Sequence, residues 1–175
     1  MSERVLDHLW NGWRAAYVTG SVTEREGVET GGSIFTRILG CGLADAETNI
    51  VHRGPTCFVI MNAFPYTSGH VMVLPYREVA ELEALTAEET AELWETVTHA
   101  VAVLKRTYRP DGVNIGVNLG QAAGGSVSGH LHVHVVPRWA GDSNFMTTVA
   151  NTRTLPEAIG DSAAKIRAGW DPADD

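Results

Sequence analysis

The chain has 175 residues, 44% of them hydrophobic, and a formal net charge of −8. That length makes one domain, which buries roughly two thirds of its unfolded surface without disulfides or metal. The negative balance argues against broad, salt-driven binding to nucleic acid, and no run nears the ~18 apolar residues of a membrane span.

In chain order, Leu9, Trp10, Trp13, Ala16 and Tyr17 recur at helical spacing and predict a helix over 6–18. Gly20 to Gly32 reads as a loop, and Ser33 to Leu39 as a compact apolar segment that borders a pocket. Strands are expected at 49–53 and 56–62, joined by Gly54 and Pro55. A third at 71–74 follows a turn carrying Pro65, Ser68 and Gly69, completing an antiparallel meander. Thr86 with Glu89 three residues on forms a capping-box signature, and Leu93, Val97, Ala100 or Val101, Leu104 and Tyr108 extend one amphipathic helix over 87–108. Pro110, Asp111 and Gly112 end it. A strand at 113–117, a glycine-rich loop at 120–129 and a last core strand at 131–136 follow, then a short helix over 155–168 and a disordered acidic end at 171–175. The class is α+β, a single domain with an N-terminal helix and loop (1–32), a core (33–139) and a C-terminal extension (140–175). Two cysteines, Cys41 and Cys57, outside any Cys-x-x-Cys pair, and a charged N-terminus point to a reducing compartment, the cytoplasm.

Residues 130–136 read His-Leu-His-Val-His-Val-Val. On a strand this spacing puts His130, His132 and His134 on one surface while Leu131, Val133 and Val135 anchor the other. Imidazoles so arranged suit a metal site, a nucleotide-handling site or a merely solvated face, and spacing alone does not choose. Just upstream, Gly124-Gly125-Ser126 brings main-chain amides and a hydroxyl toward anionic oxygens. Next to three histidines it supplies what phosphoryl chemistry needs beside a nucleophile. A local arginine such as Arg77 or Arg138 adds a further phosphate partner despite the global charge.

These residues resemble the histidine-triad (HIT) superfamily of nucleotide hydrolases and transferases, whose signature is His-φ-His-φ-His-φ-φ with φ apolar; 130–136 matches it throughout. Asn62 to Pro75, with Pro65-Tyr66 and Gly69-His70-Val71-Met72-Val73-Leu74-Pro75, resembles the family's first nucleotide-binding strand pair, and Asn118 to Pro137 its second. Leu9-Trp10, Trp13-Arg14, Gly116-Val117-Asn118-Leu119-Gly120 and Pro137-Arg138-Trp139 resemble its actinobacterial diadenosine tetraphosphate phosphorylase branch.

The resemblance implies a HIT-like fold and two-step nucleotidyl transfer. His132 would be the nucleophile, His134 would contact phosphate oxygens or the leaving group, and His130 would set orientation and tautomer. Gly124, Gly125 and Ser126 would hold the phosphate chain, Asn62 the ribose hydroxyls, and Asn118 would also line the substrate site. Ile60, Met72 and Phe35 would wall the base, and His70 would stand behind the triad. With inorganic phosphate as acceptor the products of diadenosine tetraphosphate are ATP and ADP. The alternatives are a hydrolase of dinucleoside polyphosphates or nucleoside phosphoramidates, and a nucleotide-binding sensor. Several family members carry a structural zinc held partly by Cys-Ile-Phe-Cys. Here the matching segment is Ser33-Ile34-Phe35-Thr36, with Glu78 at a further ligand position, so no structural zinc is expected. The remaining expectations are a divalent cation arriving, if at all, with the nucleotide, no nucleic acid or membrane partner, and a homodimer that buries part of the long helix and sheet.

Overall fold

The computed structural model describes residues 31–123, 127–142 and 157–170. The expected helix at 6–18, the Gly124-Gly125-Ser126 segment and the acidic end lie outside them. In chain order the elements are α1 (Ile34–Gly40), α2 (Asp45–Thr48), β1 (Ile50–Arg53), β2 (Cys57–Met61), β3 (Val71–Pro75), a 3-10 turn at Leu82–Ala84, α3 (Ala87–Tyr108), β4 (Gly112–Val117), a second 3-10 turn at Gln121–Ala123, β5 (Val133–Arg138) and α4 (Ile159–Trp170). The strands form one antiparallel sheet in the order β1-β2-β3-β5-β4. The α+β class and the meander of β1 to β3 match the sequence reading.

The capping box acts as written: Thr86 Oγ1 accepts from the Glu89 N–H at 3.2 Å, and the Glu89 carboxylate accepts from the Thr86 N–H at 2.8 Å. Leu93, Val97, Ala100, Val103 and Leu104 then pack α3 against one sheet face, where Val59, Val71, Val73, Val133 and Val135 point, and Ile159, Ala163, Ile166 and Trp170 of α4 join that core. Arg167 ties α4 to the edge by donating to the carbonyls of Ile50 (2.8 Å) and Asp45 (2.9 Å), while His52 stacks on Trp170 at 4.7 Å. The other sheet face carries a smaller cluster of Phe35, Ile50, Phe58, Ile60, Met72 and Leu74. Period-2 alternation divides the strands between the two, and the second face holds the histidines.

Three local expectations change. Ser33 to Leu39 is the N-cap and body of a helix: Ser33 Oγ accepts from the Thr36 N–H at 3.2 Å and so satisfies a free end. The last strand begins at Val133 rather than Leu131 and runs to Arg138, so of the triad only His134 belongs to it. The C-terminal helix is Ile159–Trp170, later than 155–168.

Candidate active site

His130 and His132 sit in the segment that leads from a turn into β5, both buried, at 0% and 6% exposure. The donors and acceptors around each ring fix the tautomers. His130 Nε2 lies 2.9 Å from the Pro75 carbonyl, which can only accept, so Nε2 carries the proton and Nδ1 accepts from the Ser33 hydroxyl at 2.7 Å. His132 Nδ1 lies 2.8 Å from the main-chain carbonyl of His130 and donates to it, which leaves Nε2 with a bare lone pair. Held this way, that nitrogen can act as a nucleophile.

The third ring belongs to a second chain of bonds. The Tyr66 N–H donates to His70 Nδ1 at 3.1 Å, so the His70 proton sits on Nε2, 3.0 Å from His134 Nδ1. His134 then accepts at Nδ1 and keeps its own proton on Nε2, as a donor for a phosphate oxygen or leaving group. The rings of His132 and His134 meet edge to face at 4.9 Å. Burial, and secondarily the neighbouring His132, lowers His134 to about 4, and burial also holds His130 below the ordinary histidine value; both are neutral near pH 7.

Ile60 and Met72 are cross-strand partners, Met72 is paired in turn with His134, and both are buried, giving an apolar wall beside the triad. Phe35 joins it by meeting the rings of His130 at 5.5 Å and His132 at 5.7 Å. On the far side of His134 its β4 partner is Gly116, which leaves that flank without a side chain. Asn62 Oδ1 accepts from the Phe64 N–H at 2.9 Å, which turns its Nδ2 toward His70 Nε2 at 3.3 Å; with the His70 proton on Nε2, the two donors meet there and Nε2–H is given to His134. Asn118 follows directly on Val117, the last residue of β4 paired with β5. His70, expected behind the triad, is fully buried there.

Two proposed phosphate partners are committed elsewhere. Arg77 pairs with Glu89 at 2.6 Å, and Arg138 with Asp142 at 2.6 Å and Asn114 at 2.9 Å. Sequence reasoning missed Tyr66, which combines the amide that orients His70 with a ring 4.8 Å from that of His70 and 6.3 Å from that of His134. Its only signal was its place in the strand-pair resemblance.

Ser33, Thr36, Glu78 and His130 do converge, but as hydrogen-bond partners: Thr36 Oγ1–H donates to Glu78 Oε2 at 2.7 Å, and the Ser33 N–H to the same oxygen at 2.7 Å. With both hydroxyl protons committed and one carboxylate and one imidazole as the remaining donors, the set does not suit zinc. Among the described residues no group of three or more His, Cys, Asp or Glu side chains is placed to hold a metal ion.

An antiparallel sheet with a histidine-lined face, whose imidazoles are each fixed by hydrogen bonds, is an arrangement suited to phosphoryl-group chemistry. The HIT domain family model matches residues 44–141, and the chain belongs to that family. It is 41% identical over 167 residues to the AP-4-A phosphorylase of Mycobacterium tuberculosis, covering 94% of this chain and 85% of that protein. It is 35% identical over 92 residues to the bis(5'-adenosyl)-triphosphatase of Dictyostelium discoideum, covering 53% and 61%. The crystal structure of a Zn-bound histidine triad family protein from Mycobacterium smegmatis superposes with a TM-score of 0.64 at 26% identity, over 79% of this chain and 93% of that one.

Proposed function

We propose that this chain catalyses nucleotidyl transfer on dinucleoside polyphosphates, with phosphorolysis of diadenosine tetraphosphate as its reaction. The observation that carries the reading is the bond from His132 Nδ1–H to the His130 carbonyl at 2.8 Å, which leaves Nε2 as the nucleophilic nitrogen. Likeness to the M. tuberculosis phosphorylase along nearly the whole chain supports the choice of substrate and acceptor.

In the first step His132 Nε2 attacks the α-phosphorus of one adenylate. A P–N bond forms, the α–β bridging P–O bond breaks, and ATP leaves with a hydrogen bond from His134 Nε2–H on its departing oxygen. In the second step an oxygen of inorganic phosphate attacks the same phosphorus, the P–N bond breaks and ADP forms. Asn62 and Asn118 bind the nucleotide, Ile60 and Met72 wall the base, and Gly124, Gly125 and Ser126 hold the phosphates; a divalent cation, if used, enters with the nucleotide. A second copy of the chain covers the exposed Trp94 and the outer strand β4 with its exposed Ile115. Two free, buried cysteines fit a reducing compartment, the cytoplasm.

Chromatography of the products from diadenosine tetraphosphate, with and without inorganic phosphate, tests the acceptor. Phosphate-dependent ATP plus ADP is expected. Phosphate-independent ATP plus AMP makes the protein a hydrolase, and no turnover makes it a binding protein or one with another substrate.

A further inference from the structure

We propose that Ser33, clamped by Glu78, is a positioning residue for the nucleophile, acting through His130 on His132. The inference rests on the reading of His132 as nucleophile and concerns how that imidazole is held.

His130 is fully buried, so both its ring nitrogens need partners inside the protein. One is the Pro75 carbonyl at the end of β3; the other is the Ser33 hydroxyl at 2.7 Å, 97 residues away in sequence. Ser33 has a single hydroxyl proton, and with His130 protonated at Nε2 that proton goes to His130 Nδ1. The lone pairs of Oγ remain to cap α1 at the Thr36 N–H. The serine is itself fixed from outside: Glu78 Oε2 accepts from its N–H and from the Thr36 hydroxyl, both at 2.7 Å. Gly32, in the left-handed region at φ 84°, has no Cβ, and one built there would stand 2.9 Å from that carboxylate oxygen. α1 in turn seats Phe35 against both His130 and His132.

The main chain completes the line. The His130–Leu131 peptide is held by its own N–H, which donates to the Val79 carbonyl at 2.6 Å, and the His130 ring by Ser33 and Pro75; together they keep the His130 carbonyl where the His132 Nδ1–H meets it at 2.8 Å. That bond decides which nitrogen of His132 is the nucleophile. Ser33 therefore helps to set the tautomer and aim of a ring it does not touch, through the side chain of His130.

The test is Ser33→Ala beside Ser33→Thr in the full chain, read by steady-state turnover of diadenosine tetraphosphate and by 15N NMR of the histidine rings. Ser33→Ala is expected to lower kcat by about 10- to 100-fold, with KM within about threefold. It should also shift the ring nitrogens of both His130 and His132. Ser33→Thr, which keeps hydroxyl and cap, should restore both readouts. If Ser33→Ala does not fold, Glu78→Ala with Glu78→Gln replaces the pair. The alanine should reproduce the loss and the glutamine, whose amide oxygen still accepts from Ser33 and Thr36, should recover it.

Wild-type kcat in the alanine variant, unmoved His132 nitrogens despite a lower kcat, or equal damage from alanine and threonine would each overturn the proposal. Turnover retained by His132→Ala would instead sink the nucleophile assignment, and the ring shifts of the Ser33 variants would still judge the positioning line.

Discussion

Replacing His70 once by asparagine and once by glutamine separates the hydrogen bond this ring makes to Tyr66 from the one it makes to His134. An asparagine carboxamide oxygen takes the place of imidazole Nδ1 and can still accept from the Tyr66 N–H, but nothing then donates to His134. A glutamine amide nitrogen takes the place of Nε2 and still donates to His134, but the Tyr66 amide loses its acceptor. The bonds are 3.1 and 3.0 Å long, and His70 is 0% exposed, so water does not replace the lost partner. Each lost bond costs about 1–3 kcal/mol. For His70→Asn that cost falls on the tautomer of His134, and a transition-state loss of about 1.4 kcal/mol lowers kcat about tenfold. For His70→Gln it falls on the Pro65–Gly69 turn: kcat stays within about threefold, and melting drops by roughly 2–4 °C per kcal/mol lost. Steady-state kinetics with diadenosine tetraphosphate, alongside thermal melts, reads both. Equal kcat in the two variants, whether both impaired or both intact, would refute the chain from Tyr66 through His70 to His134.

Other outcomes follow from the same contacts. His134 has a lower pKa in the fold, about 4, than in the unfolded chain, so below the ordinary histidine value the unfolded chain takes up a proton that the fold refuses. Its contribution to stability is full above about pH 6.5 and is lost as the pH falls toward 4; His130, also held low by burial, acts in the same direction. Urea midpoints should fall across that window, and less steeply in His134→Asn; an unchanged slope in the variant would contradict this. Thr86→Ala removes the cap of α3, a bond to the Glu89 N–H that involves none of the triad histidines, and should cost about 1 kcal/mol by denaturant melts with kcat within about threefold. Leu104→Ala, at a fully buried position between α3 and the sheet, should cost about 2–5 kcal/mol in the same melts.

What could be read from the sequence was what local pattern encodes. The capping box at Thr86 and Glu89 and the 3.6-residue spacing from Leu93 to Leu104 placed α3 to the residue, because cap and core face are written within the helix itself. Apolar segments bounded by turn residues placed β1 to β4 within a residue or two. The triad was visible as a motif, but the strand beginning only at Val133 was not, since His130 and His132 are held by bonds to Ser33, Pro75 and each other rather than by strand pairing. The short helix α1 was hidden behind a segment whose register depends on Glu78, 45 residues on. Long-range partners of this kind leave no period in a sequence. Arg77 is engaged in the same way by Glu89, 12 residues on, whereas the partner of Arg138, Asp142, lies only four residues away and the pair was overlooked rather than hidden.

The most direct test of the central claim is to mix the protein with diadenosine tetraphosphate, quench in alkali, where a P–N bond survives, and map the modified peptide by mass. The account predicts one adenylyl group on His132, formed with release of ATP, absent from His132→Ala and discharged as ADP when inorganic phosphate is added before the quench. Turnover by the wild-type protein with no adduct at any time, or an adduct on another residue, would contradict it.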